Sequence, residues 1–190
     1  MTKTYIEHKT FDKVDFAIEA LAKGEYERCI FKGCNFSGSD LSGINFSECE
    51  FNSCNLSMVK TNNTGLKGVK FVGCKLLGLH FDNCNTFLFS VDFGNCMLNL
   101  ASFYKLGLKK TRFKDCSLQE VDFTECNLNA ALFDNCDLTM AKFERTVLEG
   151  TDFRTSYNYA INPELNKMKK AKFSSNGIAG LLYKYDIVIE

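Results

Sequence analysis

Ten cysteines and two histidines are the side chains of this sequence that could bind a metal or act as a nucleophile and its base. Zinc sites commonly contain two cysteines separated by two residues, and no such pair occurs here. His8 and His80 are the only histidines, and the pattern puts no base beside a serine or cysteine. We therefore predict no catalytic, cofactor-binding or metal site, and no enzyme.

The spacing of the cysteines instead follows a repeat that runs through most of the chain. Between Phe113 and Leu138, Phe or Leu recurs at every fifth residue, and a slim residue such as Cys, Val, Ala or Thr stands two positions earlier. A period of five fits neither an amphipathic helix nor a half-buried strand. A short fixed period is typical of a solenoid, in which each unit buries its apolar side chains by stacking on its neighbours.

The five-residue register extends from about Tyr26 to Tyr157, with two disturbances. Two extra residues fall within Asn85–Ser90, where we predict a small bulge or loop on the wall. Thr61 is the one weak central residue, and we expect a local irregularity or an exposed turn around Thr61–Thr64.

Every fourth central residue falls into the same column, so the structural period is twenty residues and each coil is square. Phe-rich columns alternate with Leu-rich ones. The four columns are, in order, Phe31, Phe51, Phe71, Phe93, Phe113, Phe133 and Phe153; Phe36, Leu56, Leu76, Leu98, Leu118 and Leu138; Leu41, Thr61, Phe81, Phe103, Phe123 and Phe143; and Phe46, Leu66, Leu88, Leu108, Leu128 and Leu148.

All ten cysteines occupy the slot two residues before a central one, and six of them fall in one column. These six are Cys34, Cys54, Cys74, Cys96, Cys116 and Cys136. A narrow interior with a large residue at one inward slot needs a slim residue at the other, and a buried cysteine meets that need. Parallel side chains on stacked coils have poor geometry for disulfides. We predict reduced, buried thiols, as suits a cytoplasmic protein.

The segments CNFSG, SDLSG, CNLNA, CDLTM and TDFRT resemble the motif of the pentapeptide-repeat family. The resemblance covers roughly two thirds of the chain. It implies an all-β solenoid, a right-handed quadrilateral β-helix with four pentapeptides per coil, to which we add a small C-terminal helical cap. We divide the chain into an N-terminal cap or irregular first coil (1–25), the β-helix (26–157) and a C-terminal helix and strand cap (158–190).

Both ends depart from the repeat. Asp15–Lys23 fits either a short helical cap or an irregular coil. Asn162-Pro163-Glu164 is a good helix start, because Asn caps, Pro fits the first turn and an acidic residue favours the N-terminus. We expect Ser174 or Ser175 to cap a later amphipathic helix, followed by a short strand at Ile187–Ile189. The apolar face of that helix consists of Ile178, Leu181, Leu182 and Tyr185.

The last thirty residues resemble the C-terminal segment of the quinolone-resistance and microcin-immunity group of pentapeptide-repeat proteins. Shared features are the Asn-Pro start, a basic or polar link, a short amphipathic helix and a final aliphatic run. The resemblance implies a homodimer formed through this segment, and a rod that binds DNA gyrase or topoisomerase IV in place of duplex DNA. The helix face named above would then form the dimer interface. The alternative is a cap that only covers the last coil.

The formal net charge is zero, so no overall field attracts nucleic acid, and no apolar run has the length that spans a bilayer. Charge is nevertheless uneven. A basic belt (Lys105, Lys109, Lys110, Arg112, Lys114) precedes an acid-rich stretch. We predict that its acids form a partner-facing surface on the coils nearest the dimer: Asp115, Glu120, Asp122, Glu125, Asp134, Asp137, Glu144, Glu149 and Asp152. The alternative is a structural or adaptor scaffold that binds another protein.

Overall fold

The computed structural model of the chain describes residues 4–188, which form a parallel β-solenoid, a right-handed quadrilateral β-helix, with a small C-terminal helix. Each strand pairs in parallel with the strand one coil away. The strands are β1 (Thr4–Glu7), β2 (Thr10–Asp12), β3 (Gly24–Glu27), β4 (Ile30–Lys32), β5 (Asn45–Ser47), β6 (Glu50–Asn52), β7 (Gly65–Lys67), β8 (Val69–Val72), β9 (Val91–Gly94), β10 (Arg112–Lys114) and β11 (Leu132–Asp134).

The four columns of central residues define four walls, which we number as the columns are numbered above. The first wall is a seven-stranded sheet in the order β11-β10-β9-β8-β6-β4-β2, and β1-β3-β5-β7 form the N-terminal part of the fourth wall. The second and third walls are ladders of isolated bridges, such as Ser117 with Asp137 and Asp122 with Lys142. The first wall faces the third across the coil, and the second faces the fourth.

The interior is filled by stacked aromatic rings, as the columns predict. Phe103 and Phe123, one coil apart, have ring centroids 5.3 Å apart and planes within 4°. Neighbouring columns meet edge to face, as Phe103 does with Phe113 at 84°. Each buried Phe contributes roughly 1.5–3 kcal/mol by leaving water, and aromatic pairing adds about 0.5–1.5 kcal/mol. The same stacking continues at both ends, where Phe11 lies on Phe31 and Phe173 on Phe153.

The corners of the coil use a left-handed backbone conformation, two residues after a central residue. Glycine occupies this position at Gly33 and Gly38, where φ is 59° and 67°. Residues with side chains occupy it elsewhere, among them Asp115 (φ 53°) and Glu120 (φ 57°). Left-handed φ costs an L-residue roughly 1–2 kcal/mol. The tight corner therefore carries a backbone cost that the buried core offsets.

The ten cysteines lie in the interior with free sulfurs, and the prediction that they are buried is confirmed. Their thiols also complete the backbone hydrogen bonding. Cys54 Sγ donates to the carbonyl oxygen of Phe31 at 3.3 Å, and Cys74 Sγ to that of Phe51 at 3.2 Å. Thr151 Oγ1 makes the equivalent bond to Leu128 O at 2.7 Å. The slot therefore favours a slim side chain that can donate to the preceding coil.

The two extra residues do fall within Asn85–Ser90, because bridges are spaced by twenty residues at Gly65–Asn85 and by twenty-two at Val69–Val91. The inward residue there was predicted wrongly. Leu88 is 55% exposed, whereas Phe89 packs against the core and meets Phe81 edge to face. Within this two-residue insertion the inward position falls one residue later than predicted, so the ring of Phe89 fills the space that a central Leu fills in other coils.

The exposed turn expected at Thr61 is wrong, because Thr61 and Thr64 are both buried. The local irregularity is confirmed: Lys60 is bridged to Asp40 and His80 to Ser102, but within residues 4–188 no bridge joins Lys60 to His80. Thr61 Oγ1 donates to the carbonyl oxygen of His80 at 2.5 Å, which satisfies its hydroxyl inside the core. The small side chain fills the core incompletely, because a cavity of about 20 Å³ lies beside it.

The N-terminal residues from Thr4 onward form a first coil, with β1 and β2 paired to the next coil.

The helix start predicted at Asn162 is wrong: the segment forms a turn, in which Glu164 N donates to Asn162 Oδ1 at 3.0 Å. The chain instead continues the coil as far as the bridge between Asp152 and Lys172. The core continues through these residues, so the stability gained by stacking one more coil outweighs the local preference for a helix.

The C-terminal helix begins where the second prediction placed it. Ser174 caps a 3-10 turn at Ser175–Gly177 by accepting from Gly177 N at 3.1 Å, and α1 (Ala179–Leu182) follows. A second 3-10 turn covers Tyr183–Tyr185. The strand predicted at Ile187–Ile189 is absent at Ile187 and Val188, and Ile189 lies outside the described residues.

Candidate functional site

Chemistry at the cysteines and histidines finds no support in the geometry. No group of three His, Cys, Asp or Glu within residues 4–188 is arranged to hold a metal. Burial raises the pKa of Cys49, Cys84 and Cys126 to about 12, so these thiols stay protonated and are poor nucleophiles. His80 is exposed on the third wall, where its Nδ1 lies 3.2 Å from the Asp82 carboxylate. The side chains available for binding a partner are therefore those on the outer walls.

The nine predicted acids point outward but do not share one wall. Asp134 and Asp152 lie on the first wall, Asp137 on the second, Asp122 and Glu144 on the third and Glu149 on the fourth, while Asp115, Glu120 and Glu125 occupy successive corners. Because each coil takes twenty residues, acids clustered in sequence are carried round the rod.

Two of these acids are neutralised by basic partners. The Glu125 carboxylate lies 3.0 Å from Arg145 Nη2 and 3.7 Å from Lys105 Nζ. Asp152 lies 2.8 Å from Arg154 Nη2, and hydrogen bonding by that guanidinium holds the pKa of Asp152 below its usual value. These two carboxylates are engaged within the chain, so they contribute little net field.

The second wall keeps its negative charge. We call Asp115, Glu120 and Asp137 the second-wall acidic group; they lie on two adjacent coils. From Met97 to Tyr157, the outward positions of this wall and its two corners carry no Lys or Arg. The charge balance of this side is therefore uniformly negative in the C-terminal half of the rod.

Asp137 lies at the centre of this group. Burial raises the pKa of Asp137, but hydrogen bonds from Gln119, Thr139 and Asn158 outweigh it and hold the pKa below its usual value. Gln119 Nε2 donates to the carboxylate at 2.7 Å, and Asn158 Nδ2 at 2.9 Å. Neutral donors therefore fix an ionised carboxylate in place without removing its charge.

The opposite wall is basic. Lys109 and Lys110 lie on the fourth wall and its corner, and Lys167, Lys169 and Lys170 follow on the last coil, against Glu149. All five lysines are exposed. In its C-terminal half the rod is thus acidic on one side and basic on the opposite side, although the total charge is zero. Sorting the charges by the twenty-residue period would have shown this from the sequence.

The C-terminal segment is packed tightly on the last coil. Ile161 N donates to Gly180 O at 2.9 Å, and the helix backbone at Gly177 and Gly180 lies against the ring of Tyr159. A Cβ at either glycine would collide with Tyr159, so both positions require glycine for close packing. This segment therefore covers the end of the core.

The four residues of the predicted dimer face differ in exposure. Leu181 packs against the core of its own chain and Leu182 is half-buried, whereas Ile178 is 48% and Tyr185 54% exposed. Tyr185 OH donates to Glu164 at 3.3 Å. The exposed apolar side chains at this end also include Tyr183, Ile187 and Val188. The C-terminal helix therefore covers the last coil with one side and exposes apolar side chains to solvent on another.

The repeat that builds these walls identifies the family. The family model described as "Pentapeptide repeat region" matches residues 24–87 and 86–158. The chain belongs to the pentapeptide repeat family. Within residues 4–188, no helix is long and apolar enough to pass through a bilayer.

Other pentapeptide repeat proteins of known structure share the fold. QnrB1, a plasmid-mediated fluoroquinolone resistance protein, aligns over 100% of both chains with a TM-score of 0.63 and 18% identity. HetL of the cyanobacterium Nostoc sp. strain PCC 7120, involved in heterocyst differentiation regulation, aligns over 90% of this chain and 85% of its own, with a TM-score of 0.56 and 14% identity. A comparison with curated proteins found no match.

Proposed function

We propose that the protein is a non-enzymatic, dimeric rod that binds a type II topoisomerase, DNA gyrase or topoisomerase IV, in the place of duplex DNA. Such binding would give resistance to a quinolone or immunity to a toxin. The observation that best supports this proposal is the second-wall acidic group, which leaves one side of the rod uniformly negative in its C-terminal half. A groove built for phosphates attracts a rigid surface of spaced carboxylates.

The C-terminal segment supports the dimer in this proposal. Its sequence resembles the dimer-forming segment of the quinolone-resistance and microcin-immunity group, and its exposed face includes Ile178 and Tyr185. A two-fold axis at this end would double the acidic surface along one long rod. We expect the protein to act in the cytoplasm, where its partner acts.

A DNA supercoiling assay tests the proposal. Micromolar protein should inhibit gyrase, or protect it from a quinolone or from microcin, and the effect should fall as salt screens the carboxylates. Replacing Asp115 and Glu120 with Lys should abolish the effect, whereas the variant carrying both Lys169→Glu and Lys170→Glu, on the opposite wall, should keep it. Full activity of the first variant, or no effect of the wild type on either enzyme, would refute the proposal.

The dimer has its own test. Ile178→Asp should give a monomer by light scattering, because a carboxylate would be buried between two apolar faces. Ile18→Asp is the matched control, since Ile18 is 86% exposed on the wall near the other end of the rod. A wild type that is monomeric at micromolar concentration would show that the segment only caps the coil.

An adaptor scaffold is the second candidate function. It is favoured by the neutral total charge and by the two differently charged sides, which suit two partners. Recovery of a partner that is not a topoisomerase, bound through the fourth wall and released by Lys169→Glu and Lys170→Glu, would support this function.

A further inference from the structure

The exposed lysines of the fourth wall and its corner form two rows on different coils. The first lysine row consists of Lys109 and Lys110, and the second of Lys167, Lys169 and Lys170. The ladder between the rows is unbroken, because successive bridges join Gly107, Asn127, Val147 and Lys167. Strands on neighbouring coils are about 4.8 Å apart, so the two rows lie roughly 14 Å apart.

The strip of wall between the rows carries small or neutral side chains. Its corner positions are Ala130 and Gly150, and its outward wall positions include Asn127 and Asn129. Within residues 4–188, Glu149 is the single acidic side chain on this strip. Two bands of positive charge therefore flank a strip that is nearly neutral.

The lysines of the two rows are available to a ligand. All five are exposed, and within residues 4–188 none of them forms an ion pair. Lys105 and Lys172, on the same two coils, do form ion pairs, with carboxylates at 3.7 Å and 3.9 Å. Arg112 and Lys114 continue the first row onto the first wall and are also exposed. The unpaired positive charge of this half of the rod is therefore concentrated at the rows.

Two bands of cations with a neutral strip between them match the surface of duplex DNA. A duplex has two ridges of phosphates separated by grooves, and its major groove is about 12 Å wide. Rows roughly 14 Å apart can each contact the phosphates of one strand, because lysine side chains are long and flexible. Glu149 would then face the groove, where no phosphate lies.

We propose that the two lysine rows bind the phosphate backbone of duplex DNA without reading its sequence. Phosphate contacts fix the position of a protein on DNA but carry no sequence information. The zero net charge excludes only an overall attraction, since at physiological salt charges act over about 8 Å and the rows act at contact distance. This inference goes beyond topoisomerase binding and is independent of it, because the rows lie on the wall opposite the second-wall acidic group.

Two other polyanions fit the rows less well. An anionic bilayer is flat, so its headgroups would also lie against the Glu149 carboxylate between the rows. A stable contact with an acidic protein needs a central, well-packed anchor, for which aromatic side chains are the usual choice. The strip with Asn129, Ala130 and Gly150 offers no aromatic side chain. Duplex DNA is therefore the partner that the arrangement favours.

Fluorescence anisotropy of a short labelled duplex, with the full-length protein and no topoisomerase, tests the proposal. We expect saturable binding at micromolar protein and low salt, equal for two unrelated base sequences. The logarithm of the binding constant should fall linearly with the logarithm of the salt concentration, with a slope of about −4, because each neutralised phosphate contributes about −0.9.

Removal of charge from either row should weaken binding equally for both base sequences. Lys109→Gln with Lys110→Gln should lower the affinity by about tenfold or more and reduce the size of the salt slope by about two. Lys169→Gln with Lys170→Gln should do the same, because each row contacts one strand. Thermal melts of both variants would show that the coil is retained.

The matched control removes two lysines from other walls. Lys60 on the third wall and Lys75 on the second are exposed and, within residues 4–188, form no ion pair. Lys60→Gln with Lys75→Gln changes the net charge by the same amount as each row variant. It should alter the affinity less than about twofold, because these lysines lie far from the rows.

A second kind of variant tests the spacing of the rows and leaves their charge in place. Duplicating residues 127–146 inserts one full coil, which moves the rows from roughly 14 Å to roughly 19 Å apart. The copies of Asn127, Asn129 and Ala130 that it adds to the fourth wall are uncharged. Only one row can then contact phosphates at its best distance, so the affinity should fall to about that of a variant lacking one row.

Four results would overturn the proposal. They are no binding of the wild type at micromolar protein and low salt, an equal loss in the control variant, an unchanged affinity after the coil is duplicated, and a preference for another polyanion. The last is measured at the same salt concentration with vesicles of phosphatidylcholine and phosphatidylserine, and with poly-glutamate as an acidic protein segment. Tighter binding to either than to the duplex would assign the rows to a membrane or to a protein partner.

Discussion

The second and fourth walls are built from the same repeat and the same coils, yet they differ in both charge and continuity. On the second wall the ladder runs unbroken through Met97, Ser117 and Asp137, and its outward charge is negative. On the fourth wall no bridge joins Asn85 to Gly107 on the next coil within residues 4–188, and we call this missing bridge the gap. Lys109 and Lys110 lie beside it. The five-residue repeat therefore fixes the inside of the rod, while the outward residues can differ from wall to wall.

The largest expected effect removes what the walls share. Phe123→Ala should lower the free energy of unfolding by roughly 3–5 kcal/mol, because it deletes a fully buried ring that stacks on Phe103 and Phe143. Phe89→Ala, under the gap, should cost clearly less since Phe89 is only partly buried. Urea unfolding of both variants gives the values; equal losses would contradict a core that is weaker under the gap.

Closing the gap should make the fourth wall resemble the second. Deletion of Thr86 and Phe87 should raise the free energy of unfolding by about 1–2 kcal/mol, through ladder hydrogen bonds worth roughly 0.5–1.5 kcal/mol each. Hydrogen exchange would check the cause. The Gly107 amide, fast in the wild type, should become about as protected as that of Asn127. An unchanged Gly107 rate would show that the ladder did not close.

Reversing charge should act on one wall at a time. Asp115→Lys with Glu120→Lys should weaken topoisomerase binding by about tenfold or more, equivalent to ~1.4 kcal/mol. Stability should change little, because both side chains are exposed corner residues. Surface-binding assays at two salt concentrations would measure it. If Lys169→Glu with Lys170→Glu has the same effect, the acidic wall is not the binding surface.

The smallest effect should be the same on both walls. Glu120→Gly and Lys110→Gly each relieve a left-handed corner, where φ is 57° and 61°. The relief of roughly 1–2 kcal/mol is partly cancelled by the greater freedom of glycine in the unfolded chain, about 0.4–1 kcal/mol. We expect a gain of about 0.5 kcal/mol for each in urea titrations. A difference between them would reveal an energetic role of the charge itself.

Periodicity alone predicts most of the fold. The columns of Phe and Leu, the buried cysteines and the place of the insertion follow from spacing, because stacked coils repeat the same environment every twenty residues. The prediction fails at Leu88, because the path of the inserted loop, and not the five-residue spacing, decides that Phe89 turns inward. At Asn162 a local helix signal is overruled by the gain from one more stacked coil, which no local pattern contains.

The candidate surfaces are harder to predict than the core. The acids from Asp115 to Asp152 form a run in sequence, but the coil distributes them over four walls, and ion pairs such as Arg145 with Glu125 neutralise some. The gap at Gly107 arises from hydrogen bonds that are missing after an insertion twenty residues earlier. Missing hydrogen bonds of this kind can be predicted only once the path of the loop is known.

The register of the bridges has one more consequence. Bridges across the insertion are spaced by twenty-two residues and still join the same walls, so each wall of the later coils stays aligned with that wall of the earlier ones. An insertion of five residues, absorbed as a further pentapeptide, would keep every Phe and Leu inward and yet turn the whole downstream rod by a quarter revolution. The length of an insertion therefore sets how the surface after it is rotated about the rod axis relative to the surface before it. The contacts within each surface stay the same.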